Sequence, residues 1–276
     1  MFKLLNANFS RLLKDKIFIF SSIITFLVGG ILPIIHYFDN INYGADWKID
    51  STAFASSFLI PIMISFIVSL FIGLEYSDGT IRNKIIVGHK RENIYLSNLI
   101  LSIIAGFFLL IIYIISHSIF GMILLGKFVT PIKTVLLYVG LNFTLIIAFS
   151  SILTLIATLC QNKSHSVAIS ILLVFSLLIL GIYLIASLQE KEYYEAYSYT
   201  ENGVTQSEKE MKNPNYVGGN KRKIYEFLVE FTPGGQAIKL SNVNSMAEKK
   251  LAIYDFIILF LTIGFGLIFY KDKDLK

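Results

Sequence analysis

The sequence predicts an all-α integral membrane protein with six transmembrane helices. Three observations lead there. Of 276 residues, 55% are hydrophobic and only 16% are charged, against about 25% charged in soluble domains. The apolar residues fall into six blocks, each near the roughly 20 residues that a bilayer core demands of a helix. The blocks are separated by short polar segments and one long one, residues 189–250.

In chain order, residues 1–16 (MFKLLNANFSRLLKDK) read as an amphipathic helix. Phe2, Leu5, Phe9, Leu12 and Leu13 make one stripe, and Lys3, Asn6, Ser10, Arg11 and Lys14 the other. Such a pattern lies in a membrane interface rather than across it. The first span is Ile17–Phe38, with Gly29, Gly30 and Pro33 as kink candidates. A polar loop with Trp47 follows, then a second span, Ala53–Leu74, roughly 33 Å long as a helix. The apolar run Ile94–Leu125 would reach roughly 48 Å, so the third span must tilt or project from the bilayer. Gly126–Lys133 is a turn. The fourth span is Thr134–Leu159, QNKSHS (161–166) is a polar turn, and the fifth span is Val167–Leu188. The last span is Leu251–Tyr270, with KDKDLK after it. The spans and their loops, 17–188 and 251–276, make one transmembrane domain.

Between spans two and three lies Glu75–Asn98, EYSDGTIRNKIIVGHKRENIYLSN. Asp78 is placed to cap a helix beginning at Gly79 and Thr80. Ile81, Ile85 and Ile86 fall on one side, with Arg82 and Lys84 turned away, and Gly88 ends the helix. Within the long polar segment, 189–220 reads as an irregular or mobile loop. Residues 221–240 read as a helix with an Ile224, Phe227, Leu228, Phe231 face, a break at Pro233-Gly234-Gly235, and a second short helix.

Charge sets orientation. Six spans put both termini on one side. That side carries Lys3, Arg11, Lys14, Lys16, Arg82, Lys84, Lys90, Arg91, Lys163, Lys271, Lys273 and Lys276 in short segments. The opposite side spreads its basic residues over a much longer stretch. Because the positive-inside rule weighs residues near span ends, the termini and 75–98 are expected to be cytoplasmic and 189–250 extracellular. No cleaved signal peptide is expected, since the first apolar run is long and lacks a small-residue cleavage site.

Several chemistries are missing from the sequence. There is no G-x-x-x-x-G-K-[ST] phosphate loop, no H-E-x-x-H and no G-x-S-x-G. A single cysteine, Cys160, leaves no intramolecular disulfide and no Cys-based zinc site. The net charge of +5 is dispersed and does not indicate nucleic acid. Inside the spans, Glu75 and Asp255 lie near helix ends, and His117 reads as a hydrogen-bonded packing residue rather than a proton relay. With no ion relay, energy for transport would have to come from another chain.

At this point the chain resembles the membrane subunits of type-2 ABC exporters, the bacterial ABC-2-type permeases. The likeness covers the whole architecture. Its most specific part is Glu75 followed by Gly79-Thr80, Arg82, Gly88 and Arg91, while FTPGGQA (231–237) resembles outer-hairpin sequences in permeases of low-GC Gram-positive bacteria. The resemblance implies that 75–98 holds a coupling helix, with Glu75, Asp78, Gly79, Thr80, Arg82, Lys84, Gly88 and Arg91 as ATPase-coupling residues. It implies a re-entrant outer hairpin with Phe231, Pro233, Gly234, Gly235 and Gln236. It further implies a non-catalytic subunit with no cofactor of its own. Two separate ATPase subunits would bind ATP and magnesium, and a second copy or a sister permease would complete the path. The cargo implied is amphipathic or hydrophobic: a peptide, a lantibiotic-like peptide or an antibiotic. An alternative is a membrane-embedded regulatory or scaffold protein docking a non-ATPase partner; an integral membrane enzyme is a third reading, without a catalytic constellation to support it.

Overall fold

A computed structural model describes residues 1–194, 197–201, 204–208, 210–243 and 248–271. Lys273 and Lys276, two of the charges used for orientation, lie outside them. Ten α-helices are present among the described residues, and six are long and apolar enough to cross a membrane. In order they are α1 (Phe2–Leu13), α2 (Lys16–Tyr43), α3 (Ser56–Ser77), α4 (Thr80–Ile86), α5 (Arg91–Leu124), α6 (Ile132–Cys160), α7 (Lys163–Gln189), α8 (Gly219–Phe231), α9 (Pro233–Ser241) and α10 (Lys250–Lys271).

Each boundary has a local cause. The first helix ends at Leu13 rather than running to residue 16, because Asp15 caps α2, accepting the N–H groups of Ile17 and Phe18. Pro33 lies inside α2, which continues past it. Gly29 and Gly30 have a packing role: a Cβ at either would press on Ser116 or Phe120 of α5. The polar turn 161–166 is mostly helix, since Asn162 caps α7 by accepting from Ser164 and His165.

The third span is one helix of 34 residues, roughly 51 Å at 1.5 Å per residue. It packs on α2, α3, α6 and α10 and also receives α1. It packs tightly at Gly106, where a Cβ would collide with Ile64 of α3 and Ile146 of α6. Around that crossing lie Ile60, Ile64, Leu101, Ala105, Leu109 and Phe149, all buried in one continuous core. At one end of the bundle, Asp50 fastens the turn before α6 by accepting the N–H groups of Val129 (2.9 Å) and Thr130 (3.1 Å). Nearby, the Tyr113 hydroxyl donates to the Thr52 carbonyl and His117 Nε2 meets Thr52 Oγ1 at 3.1 Å. His117 is thus a buried, hydrogen-bonded residue stacked on Tyr113.

Among the described residues of 189–220 there are short paired strands rather than an irregular loop. Tyr193–Tyr194 pairs antiparallel with Met211–Lys212, and Tyr197–Glu201 with Val204–Glu208. Tyr, Thr and Val favour extended backbone, which explains the strands.

The break between α8 and α9 also moves. It falls at Thr232, whose hydroxyl accepts the Gly235 N–H at 3.2 Å and caps α9. Pro233, Gly234 and Gly235 form the first turn of α9 rather than the break, as suits a proline at a helix start. That turn presses directly on α7: a Cβ at Gly234 would overlap the Leu177 carbonyl oxygen. On α8, Ile224 and Phe227 face outward and Val229 is the buried residue. Phe231 stacks on Phe227, and both rings meet Tyr254 of α10.

Candidate functional site

The most concentrated polar chemistry inside the bundle surrounds Glu75, on the last turns of α3. Its side chain is fully buried. Burial of a carboxylate at this depth is tolerated only with countercharge and hydrogen bonds, and both are supplied from three other helices. Arg11 of α1 donates Nη1 to Glu75 Oε1 at 3.1 Å. Lys84 of α4 donates to the same oxygen. Asn98 of α5 donates Nδ2 to Oε2 at 3.2 Å.

Asn8 of α1 closes the network. Its Nδ2 reaches Asn98 Oδ1 at 3.2 Å and Ser97 Oγ at 3.1 Å, and its Oδ1 accepts from Lys84 Nζ at 3.2 Å. The Arg11 guanidinium also lies 4.6 Å from the centre of the Phe71 ring, a favourable cation–π position. Four helices therefore meet on one carboxylate, and every group in the cluster has a partner.

The joint between α3 and α4 is two residues, Asp78 and Gly79. Gly79 has φ +69° and is at once the residue after the α3 cap and the cap of α4. Its N–H bonds the Tyr76 carbonyl at 3.1 Å. Only glycine takes this conformation without a Cβ penalty. Asp78 is accordingly the C-terminal cap residue of α3, exposed, and its side chain makes no cap to α4. This corrects the expectation that Asp78 caps the short helix and that Gly79 lies inside it; Thr80 is its first residue.

At its other end α4 closes with paired bonds, His89 N–H to Lys84 O and Gly88 N–H to Ile85 O, with Gly88 at φ +96°. That is the double-bonded glycine stop expected of a Schellman motif.

The faces of α4 are also redistributed. Ile81 is buried, but Lys84 turns inward to Glu75 and keeps only 12% of its side chain exposed. Ile86 and Val87 turn outward, 81% and 78% exposed. The expected all-isoleucine inner face is therefore split, because Glu75 draws the lysine in. On α1, the side facing the protein is Leu4, Asn8 and Leu12, whereas Phe2 is exposed. Arg82 is exposed on α4. Arg91 is half-buried at the start of α5 and donates Nη1 to the Tyr270 carbonyl at 3.2 Å, tying α5 to the end of α10.

Sequence reasoning missed Asn8, Ser97 and Asn98. The available signal was their spacing: Asn8 lies i+4 from Leu4 and i−4 from Leu12, on the buried stripe itself. A polar residue in that position needs a partner.

The second group, on α8 and α9, is remote from the first. Pro233, Gly234, Gly235 and Gln236 are all buried, between α7 and neighbouring α3 and α6. Ser57 of α3 donates Oγ to the Ala237 carbonyl at 2.8 Å. Among the described residues no group of three or more His, Cys, Asp and Glu side chains could hold a metal.

The fold and this cluster define a polytopic helical membrane protein with a short helix fastened at one end of its bundle. Residues 4–181 match the family described as ABC-2 family transporter protein. That is more than half of the chain, and the protein belongs to this ABC-2 transporter membrane family. Membership makes it an ABC permease, with association to the membrane and to an ATPase subunit. Comparison with curated proteins gives no match.

Proposed function

We propose that the chain is the permease subunit of an ATP-driven exporter and that α4 is its coupling helix. The observation that carries this reading is the division of α4 into two faces. Inward, Lys84 is pinned to Glu75 with α1 and α5. Outward, two neighbouring aliphatic side chains, Ile86 and Val87, stand in the open. Burying such side chains on a partner is worth about 1.5–3 kcal/mol each. Ile86 and Val87 seat in a separate ATPase subunit, with Arg82 and Lys90 at the rim. A push there reaches α1, α3 and α5 together, because Glu75 holds all three to α4.

In this reading ATP and magnesium belong to the partner ATPase, two copies of which serve two permease subunits, either identical or sister chains. The termini, α1 and α4 face the cytoplasm, and 189–250 lies outside with α8 and α9 as a re-entrant hairpin. Broad apolar faces on α2, α7 and α10, including Phe20, Leu172 and Phe260, suit lipid and a second permease. They also suit an amphipathic or hydrophobic cargo moved outward, such as a membrane-active peptide or lipophilic antibiotic. Phe231, Pro233, Gly234, Gly235 and Gln236 set the hairpin that shapes the outer end of the path.

The test pairs the chain with the ATPase encoded beside it and reads vanadate-sensitive ATP hydrolysis in lipid. Ile86→Asp with Val87→Asp should abolish the complex while leaving the fold intact, since both positions are exposed. A complex and hydrolysis equal to wild type would overturn the docking face. For orientation, single cysteines at 86 and at 220 in a Cys160→Ala background should be labelled from opposite sides of sealed vesicles, position 86 from the cytoplasmic side.

A further inference from the structure

A groove of about 710 Å³ lies between the end of α1, the start of α2 and the last turns of α3. Arg11, Lys14 and Lys16 line it together with Ser10, and Ile17 and Leu74 give it an apolar wall. Asp15, the one carboxylate among the lining residues, is engaged: its Oδ1 accepts the N–H groups of Ile17 at 2.8 Å and Phe18 at 3.1 Å. The lining therefore sets three cations against one carboxylate that is spent on a helix cap. Arg11 gives Nη1 to Glu75 and keeps 35% of its side chain exposed. Lys14 and Lys16 are exposed, and among the described residues no carboxylate pairs with either.

The groove stands at the mouth of a span. Lys16 is the first residue of α2, which is long and apolar enough to cross a membrane. From Ile17 an apolar strip continues along one face of α2 through Phe20, Ile24 and Leu27, at helical spacing. Phe20 is 64% exposed and Leu27 51%. Cations at the end of a span, with an open apolar strip leading away from them into it, fit a molecule with a phosphate head and a hydrocarbon chain. An acidic segment of a soluble protein would use the cations and leave Phe20 and Leu27 uncovered. A choline headgroup would bring a fixed positive charge against the two lysines.

We propose that this groove binds one anionic phospholipid, its phosphate between Arg11, Lys14 and Lys16 and an acyl chain along Ile17, Phe20, Ile24 and Leu27. Arginine and lysine hold phosphate through charge-assisted hydrogen bonds, and basic residues beside a span attract anionic headgroups. The Ser10 hydroxyl adds a neutral donor on the same wall. Because Arg11 also holds Glu75, the headgroup lies one side chain away from the carboxylate that joins α1, α3, α4 and α5. The proposal needs only that α2 and α3 are spans; it depends neither on the ATPase-docking reading nor on which side of the membrane the termini face.

The experiment is native mass spectrometry of the full-length chain, titrated with phosphatidylglycerol, phosphatidylcholine or glycerol 3-phosphate. The expected result is one tightly retained phosphatidylglycerol, with neither of the other two retained. Lys14→Gln with Lys16→Gln should weaken retention by about five-fold for each charge removed, while Lys14→Arg with Lys16→Arg should keep it. The control is Lys127→Gln with Lys133→Gln, which removes the same charge from exposed positions on the turn before α6 and should retain lipid as wild type does. Equal loss in the control pair would overturn the proposal, since attraction would then follow net charge rather than the groove. Unchanged retention after Lys14→Gln with Lys16→Gln would also overturn it, as would equal retention of phosphatidylcholine. Retention of glycerol 3-phosphate as tight as that of phosphatidylglycerol would make the ligand a soluble phosphate and overturn the lipid assignment.

Discussion

Replacing Glu75 by alanine removes the acceptor shared by Arg11, Lys84 and Asn98. The cost follows from what each partner can do next. Arg11 keeps 35% of its side chain exposed and can turn to water, so its loss is that of a half-solvated pair, about 1 kcal/mol. Lys84 is 12% exposed and would keep only Asn8 as a partner. Stranding a buried charge costs about 3–5 kcal/mol, and the remaining bond to Asn8 puts the expectation near the lower end, about 3 kcal/mol. Arg11→Ala should therefore cost about 1 kcal/mol, and Glu75→Ala, which loses both contributions, about 4 kcal/mol. The double change Glu75→Leu with Lys84→Met should recover much of the loss, because neither charge is then desolvated. Cys160, the one thiol in the chain and partly buried, gives a direct assay: a thiol-reactive fluorophore reports thermal unfolding of each variant in lipid or detergent. If Arg11→Ala proved as damaging as Glu75→Ala, or the double variant proved additive, the account of Lys84 as the stranded partner would be refuted.

Three further outcomes are expected. Gly234→Ala should unseat α9, since the new methyl overlaps the Leu177 carbonyl, whereas Gly140→Ala, with open space at its Cβ, should melt within about 1 kcal/mol of wild type; the same thiol assay separates them. Gly79→Ala should cost about 1–2 kcal/mol from its left-handed backbone alone, and Gly79→Asn less, as Asn tolerates that region; thermal unfolding ranks the pair. Burial pushes the Asp50 carboxyl up, but the hydrogen bonds from the Thr130 side chain and the Val129 and Thr130 N–H groups outweigh it, and its pKa ends below the usual carboxylate value. A lowered carboxylate stabilises above its unfolded pKa of about 4 and loses that contribution as pH falls through the lower folded value. Hydrogen exchange at Val129 and Thr130 should therefore rise selectively in acid, relative to the neighbouring α6 amides, and Asp50→Asn should abolish the pH dependence.

The span architecture was legible because apolar block length is a strong signal: all six blocks became helices, with ends moved by a few residues where Asp15 and Asn162 supplied caps. The short helix of 80–86 was legible through Gly88. Its facing was not, because periodicity places isoleucines together and cannot foresee that a buried carboxylate nine residues earlier will draw Lys84 inward. Asp78 misled for a related reason. An Asp before a glycine reads as an N-cap, yet a glycine one residue later can equally end the preceding helix, and the left-handed Gly79 does both jobs. The strands at 193–212 had a readable signal in Tyr-Ser-Tyr-Thr-Glu and Val-Thr-Gln-Ser-Glu on either side of Asn202-Gly203, the dipeptide favoured between hairpin strands. It was overshadowed by the polarity of the segment as a whole. Asn8 stayed hidden because its four partners, Lys84, Ser97, Asn98 and through them Glu75, lie more than 60 residues away in sequence.

The long α5 has a mechanical consequence. A tight crossing at Gly106, against α3 and α6, lies 15 residues from Arg91 and 18 from Leu124, arms of roughly 22 and 27 Å. A rigid rod pivoting there moves its two tips in opposite directions by nearly equal amounts. One tip carries Ser97 and Asn98 beside Glu75; the other carries His117 and Gly121 beside Thr52 and Ile49. A small rotation at the α4 end would thus be reproduced, inverted and slightly enlarged, on the far side of the bundle without any helix having to bend.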